Sequence, residues 1–261
     1  MLFLVLIGIL AWQSGNKKAL IDKIEVLGNE VVNQKDILRI VQSELAGKYA
    51  WLFHKDNIFI YPQNNIKEKL LVLDKRIRDV NVYRDSLTAI AVEISERKPA
   101  YMWCELVKER PDLESAEGAG GSPASGSNQK KCFFLDKTGY IFAEAPQFSG
   151  SVFFTFYGYR KYADAPLGNF LFEERDFERL IAFKEKIKKL GFEPAGLVEK
   201  EEGDFDLILE DESKIMFNQK QNLADVLENF DSSIDTIKAG KKDLEYIDLR
   251  FGNKVFYKFK D

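Results

Sequence analysis

Apolar and polar residues follow different periods along this chain, and the changes of period mark its elements. MLFLVLIGILAW at the start is apolar and uncharged. IDKIEVLGNEVV then spaces Ile21, Ile24 and Val26 as a strand does, up to a stop at Gly28-Asn29. Asn33 stands where a helix cap belongs, and Ile37, Leu38, Ile40, Val41 and Leu45 recur at helical spacing until Gly47. A mobile-looking connecting stretch with Trp51, Phe53, Ile58, Phe59 and Ile60 leads to a second helix from Asn64 or Asn65, with Ile66, Leu70, Leu71 and Leu73 on one face. Strands Ile77 to Tyr83 and Leu87 to Ile94 close the unit around the turn Arg84-Asp85-Ser86. The order β-α-α-β-β over residues 21–95 predicts a small layer of helices on a three-stranded sheet.

From Glu96 the pattern changes to predominantly strands. ERKPAYMWCELV runs into a segment rich in Gly, Ser, Ala and Pro, at about 108–130, that has almost nothing to bury and is expected to be a disordered loop. CFFLDKTGYIF predicts a hairpin around Asp136-Lys137-Thr138-Gly139, and SVFFTFYG a further strand. A helix is expected from Glu173 to Leu190, closed by Gly191, then strands around 192–198, 205–209 and 214–217. One last helix, Asn222 to about Ile237, precedes a terminal hairpin. The fold class is α+β: a membrane-anchor remnant over 1–20, the small unit over 21–95, and a larger β-rich domain with two helices over 96–261.

The terminal hairpin, LEYIDLRFGNKVFYKF, is the most informative segment. Gly252-Asn253 suits a two-residue type II′ turn. That turn sets Phe251 opposite Lys254, Leu249 opposite Phe256 and Ile247 opposite Lys258 on one face, with Arg250 opposite Val255, Asp248 opposite Tyr257 and Tyr246 opposite Phe259 on the other. The final strand carries only Lys258 as a defence against foreign pairing, and nothing follows to cover it, so it reads as an edge awaiting a partner. The competing reading is an inner strand of a sandwich, buried on both faces.

Composition narrows the function. At 45% hydrophobic the chain can bury one or two cores, and a net charge of -4 with interleaved signs leaves no basic footprint for nucleic acid. The apolar start is shorter than the roughly 20 residues a bilayer span needs. It reads as a signal-peptide core or as the outer end of a membrane helix, with Trp12 placed as an interfacial aromatic. Lys17, Lys18 and Lys23 leave the orientation open. Cys104 and Cys132 lie on consecutive strand-like runs and have no zinc spacing; a cross-strand disulfide and two separate buried thiols are both consistent with them.

Catalysis has little to stand on. His54 is the only histidine and reads as a packing residue. Asp204, Asp206, Glu210 and Asp211 alternate with or flank Phe205, Leu207 and Leu209, the pattern of a solvent face rather than an acid pair or cation site. With no phosphate loop, nucleophile elbow or metal-binding His pair, the expectation is no catalytic residue, no cofactor, no metal and no small-molecule substrate.

Four segments together resemble one family. IDKIEVLGNEVVNQKDI with its β-α-α-β-β order is similar to an FtsQ-type POTRA domain, VEISERKPAYMWC to the junction into that family's second domain, FLDKTGYIF to the hairpin that follows, and LEYIDLRFGNKVFYK to the closing hairpin of the FtsQ/DivIB bacterial cell-division proteins. The resemblance implies a non-enzymatic divisome scaffold of septum formation. It implies a single-pass membrane protein whose POTRA and β domains are extracytoplasmic. Its partners would be an FtsB/DivIC-like protein, added as a strand at the C-terminal edge, and an FtsL-like protein. Carried over by motif position, the contact residues are Arg250, Phe251, Val255, Phe256 and Tyr257. The alternative is a POTRA-bearing protein of membrane-protein assembly or secretion; a periplasmic enzyme is a third reading.

Overall fold

A computed structural model describes residues 2–106, 131–146, 148, 152–159, 165–240 and 243–260. The loop expected at about 108–130 lies outside the described residues. The chain divides into two compact units, Met1–Lys98 and Pro99–Asp261.

The first unit contains α1 (Leu2–Ser14), β1 (Lys23–Leu27), α2 (Gln34–Leu45), β2 (Lys48–Tyr49), β3 (Phe53–His54), α3 (Gln63–Leu73), β4 (Ile77–Arg84) and β5 (Ala89–Glu96). Its main sheet has the order β1-β5-β4, with β1 parallel and β4 antiparallel to β5. Asn33 caps α2 as its position suggested, the side-chain oxygen accepting from the Lys35 N–H at 2.9 Å. Ile37 and Val41 of α2 and Ile66 and Leu70 of α3 are fully buried on Val80, Ile90 and Val92 of the sheet. Each such side chain contributes about 1.5–3 kcal/mol.

Two contacts of this unit sit at motifs singled out above. Gly28 has φ +77°, and a β-carbon there would stand 2.3 Å from the Ile94 carbonyl oxygen, so the turn after β1 requires glycine. Glu96 closes that same turn from the end of β5. Its carboxylate accepts from the backbone N–H groups of Glu30 at 2.8 Å, Val31 at 3.1 Å and Val32 at 2.9 Å. The connecting stretch after α2 contains a short hairpin, β2 paired with β3.

The second unit contains β6 (Tyr101–Leu106), β7 (Cys132–Leu135), β8 (Ile141–Ala145), β9 (Thr155–Tyr159), α4 (Glu174–Lys189), β10 (Pro194–Glu199), β11 (Asp204–Leu209), β12 (Lys214–Asn218), α5 (Leu223–Asp231), α6 (Ile234–Ala239), β13 (Leu244–Phe251) and β14 (Lys254–Phe259). Nine strands form one sheet in the order β14-β13-β12-β11-β10-β9-β6-β7-β8. The helices serve as crossovers: α4 joins the parallel pair β9 and β10, and α5 with α6 joins the parallel pair β12 and β13. Phe177, Phe183 and Ile187 of α4 and Val226 and Phe230 of α5 share one buried cluster with Phe156, Phe205 and Phe217 of the sheet. Eleven of the 21 Phe residues of the sequence lie in or against this one aromatic core.

The hairpin at Asp136 forms as its residues suggest. The Asp136 carboxylate accepts from the Thr138 N–H at 2.8 Å and the Tyr140 N–H at 3.2 Å, and Gly139 takes φ +80° with the Phe177 ring directly against it. Cys104 and Cys132 face each other across β6 and β7 and form a disulfide, which removes the reading as separate thiols. The single helix expected from Asn222 to Ile237 is instead two, broken at Ser232-Ser233. Both serine hydroxyls donate back to carbonyls four residues earlier, Glu228 at 3.1 Å and Asn229 at 3.5 Å, a bond that bends helices.

Candidate functional site

The segment with the most to say about function, Leu244 to Phe259, forms the hairpin β13–β14 at one end of the nine-stranded sheet. Gly252 has φ +66° while Asn253 does not enter the positive region, as a type II′ turn requires. β14 pairs with β13 on one side and is the terminal strand on the other.

The register departs from the expected one. Phe251 pairs with Lys254 as anticipated, but Asp248 faces Phe256, Ile247 faces Tyr257, Tyr246 faces Lys258 and Leu244 faces Phe259. Leu249 and Arg250 together oppose Val255, so β13 carries a bulge one turn from the hairpin tip. The cause is local chemistry. Asp248 turns its carboxylate onto the Arg250 backbone N–H at 3.1 Å, and that donor no longer needs a partner on β14. A second irregularity at Glu245 completes the slip.

The bulge also fixes Arg250. Its guanidinium donates through Nε and Nη2 to the two oxygens of buried Asp248, at 2.9 and 2.6 Å, and through Nη1 to Asp204 of β11 at 2.8 Å. These hydrogen bonds, to Asp248 first and then Asp204, raise the Arg250 pKa further above its already high value. Burial pushes the Asp204 carboxyl up, yet hydrogen bonds from Arg250 and Asn218 and the nearby positive charges outweigh it and hold the group below the usual carboxylate range. Thus Arg250 is a clamp tying the bulge to a strand two places away. Sequence reasoning missed Asp248 and Asp204 as its partners; the Asp-x-Arg spacing in IDLRF was the available signal.

The other four anticipated contact residues surround the open rim. In a strand, alternate residues point their N–H and C=O to opposite sides. Lys254 belongs to the pair flanking the two-residue turn, and Lys260 donates its N–H to the Asp243 carbonyl, so the even-numbered residues of β14 face β13. Val255, Tyr257 and Phe259 therefore direct their backbone groups outward. Their side chains lie on the helix-covered face, where Val255 and Phe259 pack against the core and Tyr257 meets Phe259 edge-on at 5.4 Å. On the opposite face Phe256 and Phe251 contact each other edge-on at 5.3 Å and remain 49% and 56% exposed. Lys258, the one charge between Val255 and Phe259, is engaged by Glu245 at 2.6 Å, and that bond raises its pKa.

The remaining candidates fall into structural roles. His54 is partly buried, with Nδ1 at 3.4 Å from Asp56. Asp206 receives Lys200 and Lys214 at 3.7 and 3.5 Å, and among the described residues no group of His, Cys, Asp and Glu is arranged to hold a metal.

A family model described as cell division protein FtsQ/DivIB, C-terminal, matches residues 127–250. This stretch of the chain is similar to the FtsQ/DivIB C-terminal domain. The match spans β7 through the Arg250 clamp of β13 and supports a role in cell division, with protein partners. No curated protein matches the chain. Among the described residues no helix is long and apolar enough to cross a membrane.

Proposed function

We propose that this chain is a non-enzymatic scaffold of the division septum that receives an FtsB/DivIC-like protein, in company with an FtsL-like one, by strand addition along β14. Residues 21–95 act as its POTRA domain and residues 96–261 as its β domain, both extracytoplasmic, on a single-pass membrane anchor to which residues 1–20 belong. The observation that carries this reading is the outward ladder of Val255, Tyr257 and Phe259 at the terminal strand of a sheet whose β7–β13 portion matches the FtsQ/DivIB C-terminal domain. Each of those residues offers one N–H and one C=O, and each bond formed contributes about 0.5–1.5 kcal/mol net. Phe251 and Phe256 provide the exposed aromatic flank that selects the incoming side chains, and the Arg250 clamp holds the bulge beneath them.

The test is a titration of the chain with the soluble segment of the FtsB/DivIC-like protein. Replacing Phe256→Lys or Tyr257→Lys should weaken binding by at least about thirtyfold, the cost of losing an interface anchor, with the circular-dichroism melt unchanged. Unaltered affinity in both variants rejects the assignment.

A further inference from the structure

A second surface lies in the first unit. α1 carries apolar residues at every position from Leu2 to Trp12, apart from Gly8, and so has no polar face; Val5, Leu6, Ile9 and Leu10 are about half exposed. A protein groove covers one stripe of a helix, whereas a helix apolar all round calls for hydrocarbon on every side. The last turn of α1 is fastened to the β2–β3 hairpin. Buried Ser14 accepts the His54 N–H through Oγ at 3.3 Å, and its carbonyl accepts from Asn57 Nδ2 at 2.9 Å.

The tip of that hairpin is strained and exposed. Ala50 and Trp51 both adopt positive φ, 47° and 62°, in a turn closed by the Leu52 N–H on the Tyr49 carbonyl. Turns of this hand ordinarily use Asn-Gly, and a large side chain there is strained. Trp51 is nevertheless 91% exposed, and Leu52, Phe59 and Ile60 after it are exposed as well. An indole in this situation suits the bilayer–water interface, where an apolar ring meets headgroups. Charge agrees with that placement: in 12–18 and 47–60 four lysines, Lys17, Lys18, Lys48 and Lys55, stand against one acid, Asp56, which is paired with His54.

We propose that the β2–β3 hairpin is a lipid contact, inserting Trp51 into the headgroup region of an anionic phospholipid bilayer beside α1. The contact rests on the membrane-anchored reading of the N-terminal segment. It would give the first unit two attachments to the surface, a helix and a hairpin, and so restrict its tilt.

The full chain reconstituted into phosphatidylcholine–phosphatidylglycerol vesicles, with and without brominated acyl chains, tests this by tryptophan emission. Trp103 is buried in the second unit and gives a constant background. In a Trp12→Phe variant, brominated lipid should remove most of the Trp51 emission, less so in phosphatidylcholine alone, and Lys48→Glu with Lys55→Glu should restore it. Equal emission in brominated and plain vesicles overturns the contact. The Trp51→Phe variant reports Trp12 in parallel: quenched Trp12 with unquenched Trp51 rejects the hairpin contact alone, while two unquenched signals reject the anchoring of α1 as well.

Discussion

The two ends of the nine-stranded sheet are finished in opposite ways. At the β8 end the chain covers its own rim. Ile141 donates its N–H to the Asn169 carbonyl at 2.9 Å and accepts from the Gly168 N–H at 2.8 Å, Leu171 donates to Gly139, and Tyr140 bridges Phe170. Just inside, the Cys104–Cys132 disulfide staples β6 to β7. At the β14 end the rim has no backbone partner from this chain among the described residues, and the strands behind it are tied by the ionic clamp of Arg250, Asp248 and Asp204. Sheets manage unpaired edges because they invite foreign strands. On the function proposed above, a molecule that straps one edge and leaves the other aromatic and open separates stability from recognition.

The largest expected effect breaks the closed end. The disulfide closes a loop of 28 residues, for which chain entropy gives about 3–4 kcal/mol. Cys104→Ala with Cys132→Ala should lower the thermal midpoint of the second unit by several degrees in calorimetry, yet leave affinity for the partner segment unchanged at a temperature where both proteins are folded. A parallel loss of affinity would mean that the two ends are coupled and that the separation is false.

Next in size is a pair of proline substitutions that sharpens the open end. Tyr257 points its N–H outward, so Tyr257→Pro removes a donor the protein itself does not use, as edge prolines do. Binding should fall by about tenfold to a hundredfold beyond the loss in Tyr257→Lys, because the incoming strand also loses one bond and is left with an unmet carbonyl worth about 1–3 kcal/mol. Lys258 points its N–H at β13, and Lys258→Pro removes a ladder bond at a cost of about 1–3 kcal/mol in stability. If urea melts and titrations show the two variants behaving alike, the assignment of outward and inward residues is wrong.

Sequence reached the elements of both ends but not their finishing. Hydrophobic period and turn chemistry located β7–β8 through Asp136 and Gly139, and β13–β14 through Gly252, because those signals are local. The strap at Gly168–Leu171 was unreadable because it depends on a contact across about 30 residues with no pattern of its own. The bulge was missed for a related reason: alternation assumes that every backbone donor seeks the neighbouring strand, and Asp248 supplied an acceptor from within β13. Phe251 and Phe256 were legible as aromatics on one face, whereas the partners of Arg250 required knowing that β11 lies two strands away.

The smallest predicted effect asks whether the two ends respond differently to acid. A covalent staple is indifferent to protonation, but the clamp at the open end depends on Asp204 being ionised. Its folded-state pKa lies below the ordinary value, so the folded protein holds this proton less readily than the unfolded chain. The resulting stability is fully present above the unfolded value near 4 and is lost as pH falls through the lower folded value. The pair is partly solvated, which limits the contribution to less than about 1 kcal/mol. Asp204→Asn should therefore be slightly less stable than the parent in urea melts at pH 7, and the difference should shrink below pH 4. Hydrogen exchange should localise the acid response: amides of β13 near the bulge lose protection while those of β6 and β7 keep theirs. Equal loosening at both ends would show that the clamp plays no special part in holding the open rim in shape.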